Sequence, residues 1–183
     1  MTEKTVCVYC AASSDVDCRY LDAAYRMGTA LAKAGVTTVC GAGNTGLMRN
    51  LADGCLDNGG TVVGIIPKFM ADNGWGYEEA LSETIVTDDI QQRKQMMAKM
   101  ADAAIALPGG CGTLEELMEI ITWRQLGLFS GEIIIVNTGD YYRPLLEMLQ
   151  RCIDQHFMKK EQASLWRVAQ TPEEAAAMLA EKI

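Results

Sequence analysis

An apolar run over 103–107 is followed by Pro108-Gly109-Gly110-Cys111-Gly112-Thr113-Leu114-Glu115-Glu116. Leu114, Leu117, Met118 and Ile121 then recur at helical spacing. Three glycines thus lie between a strand end and a helix start, where backbone N–H groups point outward and hold anions. Glycine also lets a ligand approach the main chain closely. Glu116 falls one turn into the helix, within reach of whatever the loop holds. An anion cradle beside a carboxylate fits a phosphorylated substrate and acid–base or charge-stabilising chemistry. The same residues have a purely structural reading. Thr113-Leu114-Glu115-Glu116 fits S/T-x-x-E, a capping box with Thr113 at N-cap and Glu116 at N3, which implies no catalysis.

Two further features carry chemistry. On a helix expected over 88–102, the residues Ile90, Arg93, Met96, Met97 and Met100 share one face, with Lys94 on the adjacent flank. An arginine inside an apolar stripe is costly without a partner. It is either a cation facing a site at the sheet edge, or a snorkelling or ion-paired structural residue. Gly41-Ala42-Gly43-Asn44-Thr45-Gly46 is a second glycine-rich strand-to-helix turn and matches GxGxxG. No acidic residue follows at the end of the next strand, so tight helix–strand packing explains it as well as phosphate contact does.

The elements that must position these residues alternate strand and helix. Strands are expected over 5–10, 36–40, 61–66, 83–86, 103–107, 131–136 and 165–169. Helices are expected over 20–34, 47–56, 88–102, 113–126 and 141–156, with a terminal helix opened by Thr171-Pro172-Glu173-Glu174, a capping box with proline at N1. Gly35 closes the first helix, and 68–80 is expected to be a loop or a short helix. The strands are continuous apolar runs, which predicts an α/β fold: one Rossmann-like parallel sheet with helices on both faces. Ligands of such folds bind outside the carboxyl ends of the strands, the edge where both glycine turns fall. A chain of 183 residues is read as a single domain, 1–183.

Composition narrows the function. Apolar residues make up 49% and charged residues 22%, as in ordinary globular proteins. No apolar run reaches the roughly 18 residues of a membrane span, and the first residues carry no secretion-signal pattern. A net charge of −8 disfavours broad nucleic-acid binding. Seven cysteines, an odd number, suit a reducing cytoplasm better than a disulfide framework. Cys7 and Cys10 form a CxxC, but on a strand they point to opposite faces and cannot share a metal. One histidine, His156, is too few for a His-centred zinc site or a Ser-His-Asp triad.

Together these stretches resemble the LOG ("lonely guy") family of cytokinin riboside 5′-monophosphate phosphoribohydrolases. Pro108 through Glu116 matches the family pattern PGGxGTxxE in full, and Arg93-Lys94 matches the Arg-Lys pair that precedes it. The stretches 7–10, 43–48, 63–68 and 121–123 match in order, so the likeness covers about 5–160. The resemblance implies a Rossmann-like fold, a homodimer with sites near its interface, and no cofactor or metal. It implies hydrolysis of the N-glycosidic bond of a nucleoside 5′-monophosphate to free base and ribose 5-phosphate. By the resemblance Arg93 and Glu116 are catalytic. Substrate contacts fall to Gly109, Gly110, Cys111, Gly112 and Thr113, with Lys94, Thr122, Ser13 and Gly43. Relatives labelled lysine decarboxylase imply a different activity, but no residue here is marked as a pyridoxal-phosphate lysine.

Several positions depart from the family pattern. Ala42 stands where three consecutive glycines are usual, Arg49 where glycine is, and Ile90-Gln91-Gln92 where Met-His-Glu/Gln is. Cys111 replaces a frequent aromatic, Arg124 a frequent alanine, and Gly74 an acidic residue, for which Asp72 is a weak substitute. These changes spare Arg93 and Glu116 and fall where base and phosphate would be recognised. Two other functions suit the same fold: a non-catalytic nucleotide sensor, and a cofactor carrier or DNA-processing relative. The acidic charge disfavours DNA processing.

Overall fold

A computed structural model describes residues 4–76 and 80–180. Seven strands form one parallel sheet: β1 (Thr5–Tyr9), β2 (Thr37–Cys40), β3 (Val62–Pro67), β4 (Glu83–Thr87), β5 (Ala103–Ala106), β6 (Glu132–Val136) and β7 (Arg167–Ala169). Their spatial order is β4-β3-β2-β1-β5-β6-β7. The chain winds outward from β1 in one direction, then restarts at β5 on β1's other side, with Val6 opposite Ala103 and Tyr9 opposite Ala106. The carboxyl ends of β1 and β5 therefore flank the topological switch point, where the connections diverge and leave a crevice.

The helices are α1 (Cys18–Lys33), α2 (Gly46–Leu56), α3 (Lys68–Asp72), α4 (Ile90–Met100), α5 (Cys111–Gln125), α6 (Arg143–Asp154) and α7 (Pro172–Ala180). On one face Met27 and Leu31 of α1, Leu47 and Leu51 of α2 and Leu179 of α7 pack on Val6, Val8 and Ile105. On the other, Met97 of α4 and Leu117, Ile120 and Ile121 of α5 pack on Cys7, Tyr9, Ile65 and Ile135. Side-chain alternation along β1 thus sends Cys7 and Cys10 to opposite cores, as expected, and all seven cysteines are free thiols. Backbone touches backbone between α1 and α2. A Cβ on Gly28 would lie 2.0 Å from the Leu51 carbonyl oxygen, and one on Gly54 2.0 Å from that of Tyr25.

Several boundaries differ from expectation for local reasons. Asp17 caps α1, accepting from the Arg19 N–H at 3.0 Å, so the helix starts two residues early. Only Lys68–Asp72 is helical in the stretch read as loop or short helix, and 77–79 lie outside the described residues. The stretch after β6 first makes a tight helical turn, Thr138–Asp140, with Gly139 and Asp140 in the left-handed region. Hence α6 begins at Arg143. Thr171 caps α7 as expected, its Oγ1 accepting from the Glu174 N–H at 3.2 Å, while the returning Glu174 carboxylate accepts from the N–H of Gln170, one residue before the cap, at 2.6 Å.

The Thr113 capping box is not present. Gly110, in extended conformation, is the N-cap, and α5 starts at Cys111. Thr113 therefore sits in the first turn as a buried residue, and Glu116 lies in the second turn, too far along the helix to reach the cap. The apolar stripe on α4 also needs correction. Ile90 and Met100 are exposed, and the inward face is Arg93, Lys94, Met97 and Ala98. Lys94, expected on the flank, is buried.

Candidate active site

Three loops meet at the switch point. The Ala11 N–H donates to the Pro108 carbonyl at 3.3 Å, and the Met48 N–H donates to that of Ala11 at 3.1 Å. Thr45 Oγ1 donates to the Ala12 carbonyl at 2.7 Å, and the Gly46 N–H donates to Ser14 Oγ at 3.1 Å. The turns after β1, β2 and β5 are thus laced together. They enclose a cavity of about 330 Å³ lined by Cys10, Ala11, Ala12, Ser13, Met48, Arg93, Gly110, Gly112, Thr113 and Glu116.

Arg93 and Glu116 approach from α4 and α5. Asp89 caps α4 through the Gln92 N–H at 2.8 Å, which fixes the turn preceding Arg93. The Arg93 guanidinium then reaches under the sheet edge. Its Nε donates to the Ile65 carbonyl at 3.0 Å, and Nη1 lies 3.4 Å from Glu116 Oε1. Both side chains are 7% exposed. A buried ion pair of this kind holds its geometry because removing either partner strands the other's charge. Gly41 makes room for it: a Cβ there would stand 1.8 Å from Arg93 Nη2. The first glycine of the GxGxxG turn therefore serves a side chain.

Burial raises the Glu116 carboxyl to about 6, against the opposing pull of Arg93. Such a carboxylate is mostly ionised at neutral pH yet basic enough to take a proton from water. Beside it, the N–H groups opening α5 have no acceptor within the helix and carry the positive end of its dipole. One end of the cavity therefore suits a phosphate, and the other presents a carboxylate backed by a guanidinium.

The expected residues divide cleanly. Arg93, Glu116, Ser13, Gly110, Gly112 and Thr113 line the cavity. Gly109 and Gly43 shape its walls from behind. A Cβ on Gly109 would meet Thr113 Oγ1 at 2.1 Å, and one on Gly43 would meet Met48 Sδ at 2.7 Å. Cys111 is exposed at the first turn of α5 and does not line the cavity. Lys94 does not line it either. Its ammonium pairs with Glu115 and, at 3.4 Å, with Glu119, tying α4 to α5. Burial pulls its pKa down, but the two carboxylates outweigh that and leave it raised. Thr122 is exposed, donates to the Met118 carbonyl at 2.8 Å and does not line the cavity of its own chain. Arg124 binds Glu132 at 3.0 Å and the Leu165 carbonyl at 3.2 Å, and Arg49 pairs with Asp53 at 3.4 Å; neither lines the cavity. Cys10, Ala11, Ala12 and Met48 were not expected there. Their signal was positional: Cys10, Ala11 and Ala12 lie just past the carboxyl end of β1, and Met48 lies in the first turn of the helix that follows β2.

Comparison with known proteins bears on this arrangement. Residues 48–179 match the family described as "possible lysine decarboxylase". A cytokinin riboside 5′-monophosphate phosphoribohydrolase of Rhodococcoides fascians is 41% identical over 86% of this chain and 79% of its own. One from Arabidopsis thaliana is 40% identical over 85% and 72% respectively. The chain belongs to the LOG family. The LOG fold extends to more distant proteins: a molybdenum cofactor binding protein of Rippkaea orientalis superposes with a TM-score of 0.75 at 21% identity, over 99% of this chain and 98% of that one. Among the described residues no lysine lines this cavity.

Proposed function

We propose that this protein hydrolyses the N-glycosidic bond of a purine riboside 5′-monophosphate, releasing free base and ribose 5-phosphate. The substrate is AMP or an N6-modified AMP of cytokinin type, the class named for its relatives. The observation that carries the reading is the buried Arg93–Glu116 pair opening onto the same cavity as Gly110, Gly112 and Thr113. The glycine-rich helix start holds the 5′-phosphate. That places the ribose toward the carboxylate.

Breaking the C1′–N bond leaves its electron pair on the base and positive charge on the ribose. Glu116 stabilises that charge and takes a proton from the water that adds to C1′, and the departing base takes up one proton from solvent in exchange, so that neutral base and ribose 5-phosphate leave and Glu116 returns its proton to solvent. Arginine keeps its proton at any working pH, so Arg93 is no general acid. With Nε committed to Ile65 and Nη1 on Glu116, it holds the carboxylate in place and keeps it ionised.

Thr122, exposed and outside the cavity of its own chain, gains a substrate role when a second copy brings it to the site. A homodimer with sites near its interface accommodates that role. The apolar Leu126 and Leu128 at the same end of α5 are 63% and 69% exposed, which suits a covered surface. Among the described residues no helix is long and apolar enough to cross a membrane. Seven free thiols fit action in the cytoplasm. The net charge of −8 fits a protein that does not bind nucleic acid.

Incubation with AMP, N6-substituted AMP and other nucleoside 5′-monophosphates, followed by chromatography of the products, tests the reading. Free purine and ribose 5-phosphate in equal amounts are expected. Tight nucleotide binding with no base release would make the protein a sensor instead.

A further inference from the structure

Two consecutive tyrosines lean from the turn after β6 onto the loop after β5. Tyr141 Oη donates to the Gly109 carbonyl at 2.7 Å, and Tyr142 Oη donates to the Leu107 carbonyl at 2.7 Å. The turn that presents them is built for the purpose. Asp140 sits at φ +60°, a conformation that non-glycine residues adopt at a cost. Asn137 secures it by donating to Asp140 Oδ1 at 3.1 Å and accepting from the Tyr142 N–H at 2.7 Å. Tyr142 is fully buried and anchors the strand end. Tyr141 is half-exposed, yet its ring is held edge-on between Tyr142, with centroids 5.1 Å apart, and Tyr20 at 5.8 Å. The Arg19 guanidinium covers Tyr20 in turn, 4.9 Å from the ring centre.

The Gly109 carbonyl belongs to the peptide unit that carries the Gly110 N–H. In a trans peptide these two groups point in opposite directions, and no cis peptide occurs among the described residues. Two glycines offer no side-chain resistance to a flip of that peptide plane. The carbonyl is held on one side by the Tyr141 hydroxyl, while Gly110 lines the cavity on the other. We propose that Tyr141 is a positioning residue for the phosphate loop. Its hydroxyl fixes the Gly109–Gly110 peptide so that the Gly110 N–H faces the 5′-phosphate. Donation to the carbonyl also polarises the peptide and strengthens that N–H as a donor. Tyr141 does not itself line the cavity, so its effect is expected to be confined to phosphate recognition. The inference rests on the phosphoribohydrolase reading given above.

Tyr141→Phe keeps the ring contacts and deletes only the hydroxyl. With AMP as substrate, KM is expected to rise about five- to tenfold, the scale of one hydrogen bond, with kcat nearly unchanged. The affinity for ribose 5-phosphate, measured by calorimetry, is expected to weaken by the same factor. The affinity for adenosine, which lacks the phosphate, is expected to stay constant, as is the melting temperature. Equal loss toward adenosine and ribose 5-phosphate, or a fall in kcat alone, would overturn the positioning role. So would wild-type KM in the variant, with the wild-type enzyme still hydrolysing AMP. A wild-type protein that neither hydrolyses AMP nor binds ribose 5-phosphate would overturn the underlying reading as well.

Discussion

Glu116 is pulled two ways. Burial favours its neutral form, and the Arg93 guanidinium favours the charged one; burial prevails, leaving the pKa at about 6. In the proposed mechanism the working form is the carboxylate. The kcat/KM for AMP is therefore expected to rise with pH through about 6 and then level off, and a profile flat from pH 5 to 8 would count against Glu116 as the titrating group. Stability runs the other way. The folded pKa lies above the ordinary value of 4.5, so this carboxyl favours the native state fully below 4.5, and that contribution fades as pH rises through about 6. The loss is on the order of 2 kcal/mol. Urea melts of the wild type and Glu116→Gln at pH 4.5 and 7 measure it, because the variant retains the pH dependence of the other carboxyls and should lack only this contribution. Local sequence left Glu116 open between a cap and a catalyst. S/T-x-x-E occurs twice here, and Thr171 caps while Thr113 does not. The distinction lies in Gly110, whose extended backbone starts α5 two residues before Thr113. Arg93 was conspicuous in its apolar stripe, but its partner lay 23 positions away and became visible only with the fold. Lys94 misled for the mirror reason: its partners, Glu115 and Glu119, sit on α5, so a neighbour of Arg93 in sequence faces a different cluster.

At the scale of elements, close approach of backbones sets the geometry. The α1–α2 pair has room for no side chain at Gly28, where a Cβ would strike the Leu51 carbonyl. Gly28→Ala is expected to cost about 1–3 kcal/mol of stability in denaturant melts, with little change in KM, since it lies far from the cavity. Gly41 makes a different case. A Cβ there collides with the end of a side chain, not with backbone, so the fold should survive and Arg93 should move. Gly41→Ala is expected to lower kcat/KM about ten- to a hundredfold with a melting temperature close to wild type. A melting temperature that collapsed along with activity would make Gly41 a packing residue only. Sequence showed this turn as an ambiguous GxGxxG. It did not show that the first glycine yields space to a side chain from α4, because that contact joins elements about fifty residues apart. Ala42 explains another ambiguity. Its φ of +56° is a glycine conformation, which accounts for the glycines usual there in the family, and Gly64 leaves the space that the Ala42 methyl occupies.

Across the whole molecule, alternation of apolar strands and helices was enough to read the parallel sheet and the edge where ligands bind. What it could not supply was strand order. The position of β5 beside β1 brings Cys10 to Ser13 against Gly110 to Thr113, and the cavity exists because of that neighbour relation. Assembly is the remaining level. Because Thr122 and the exposed Leu126 and Leu128 just past α5 lie outside the cavity of their own chain, the protein is expected to sediment at twice its chain mass of 19.9 kDa. Thr122→Ala is expected to raise KM without unfolding the protein. A monomer with full activity would contradict the shared-site reading. The most direct test of the chemistry separates binding from bond breaking. Glu116→Gln should retain AMP affinity within a few-fold by calorimetry and lose about a thousandfold in the rate of adenine release under single-turnover conditions. Adenine release by Glu116→Gln at the wild-type rate would contradict the account.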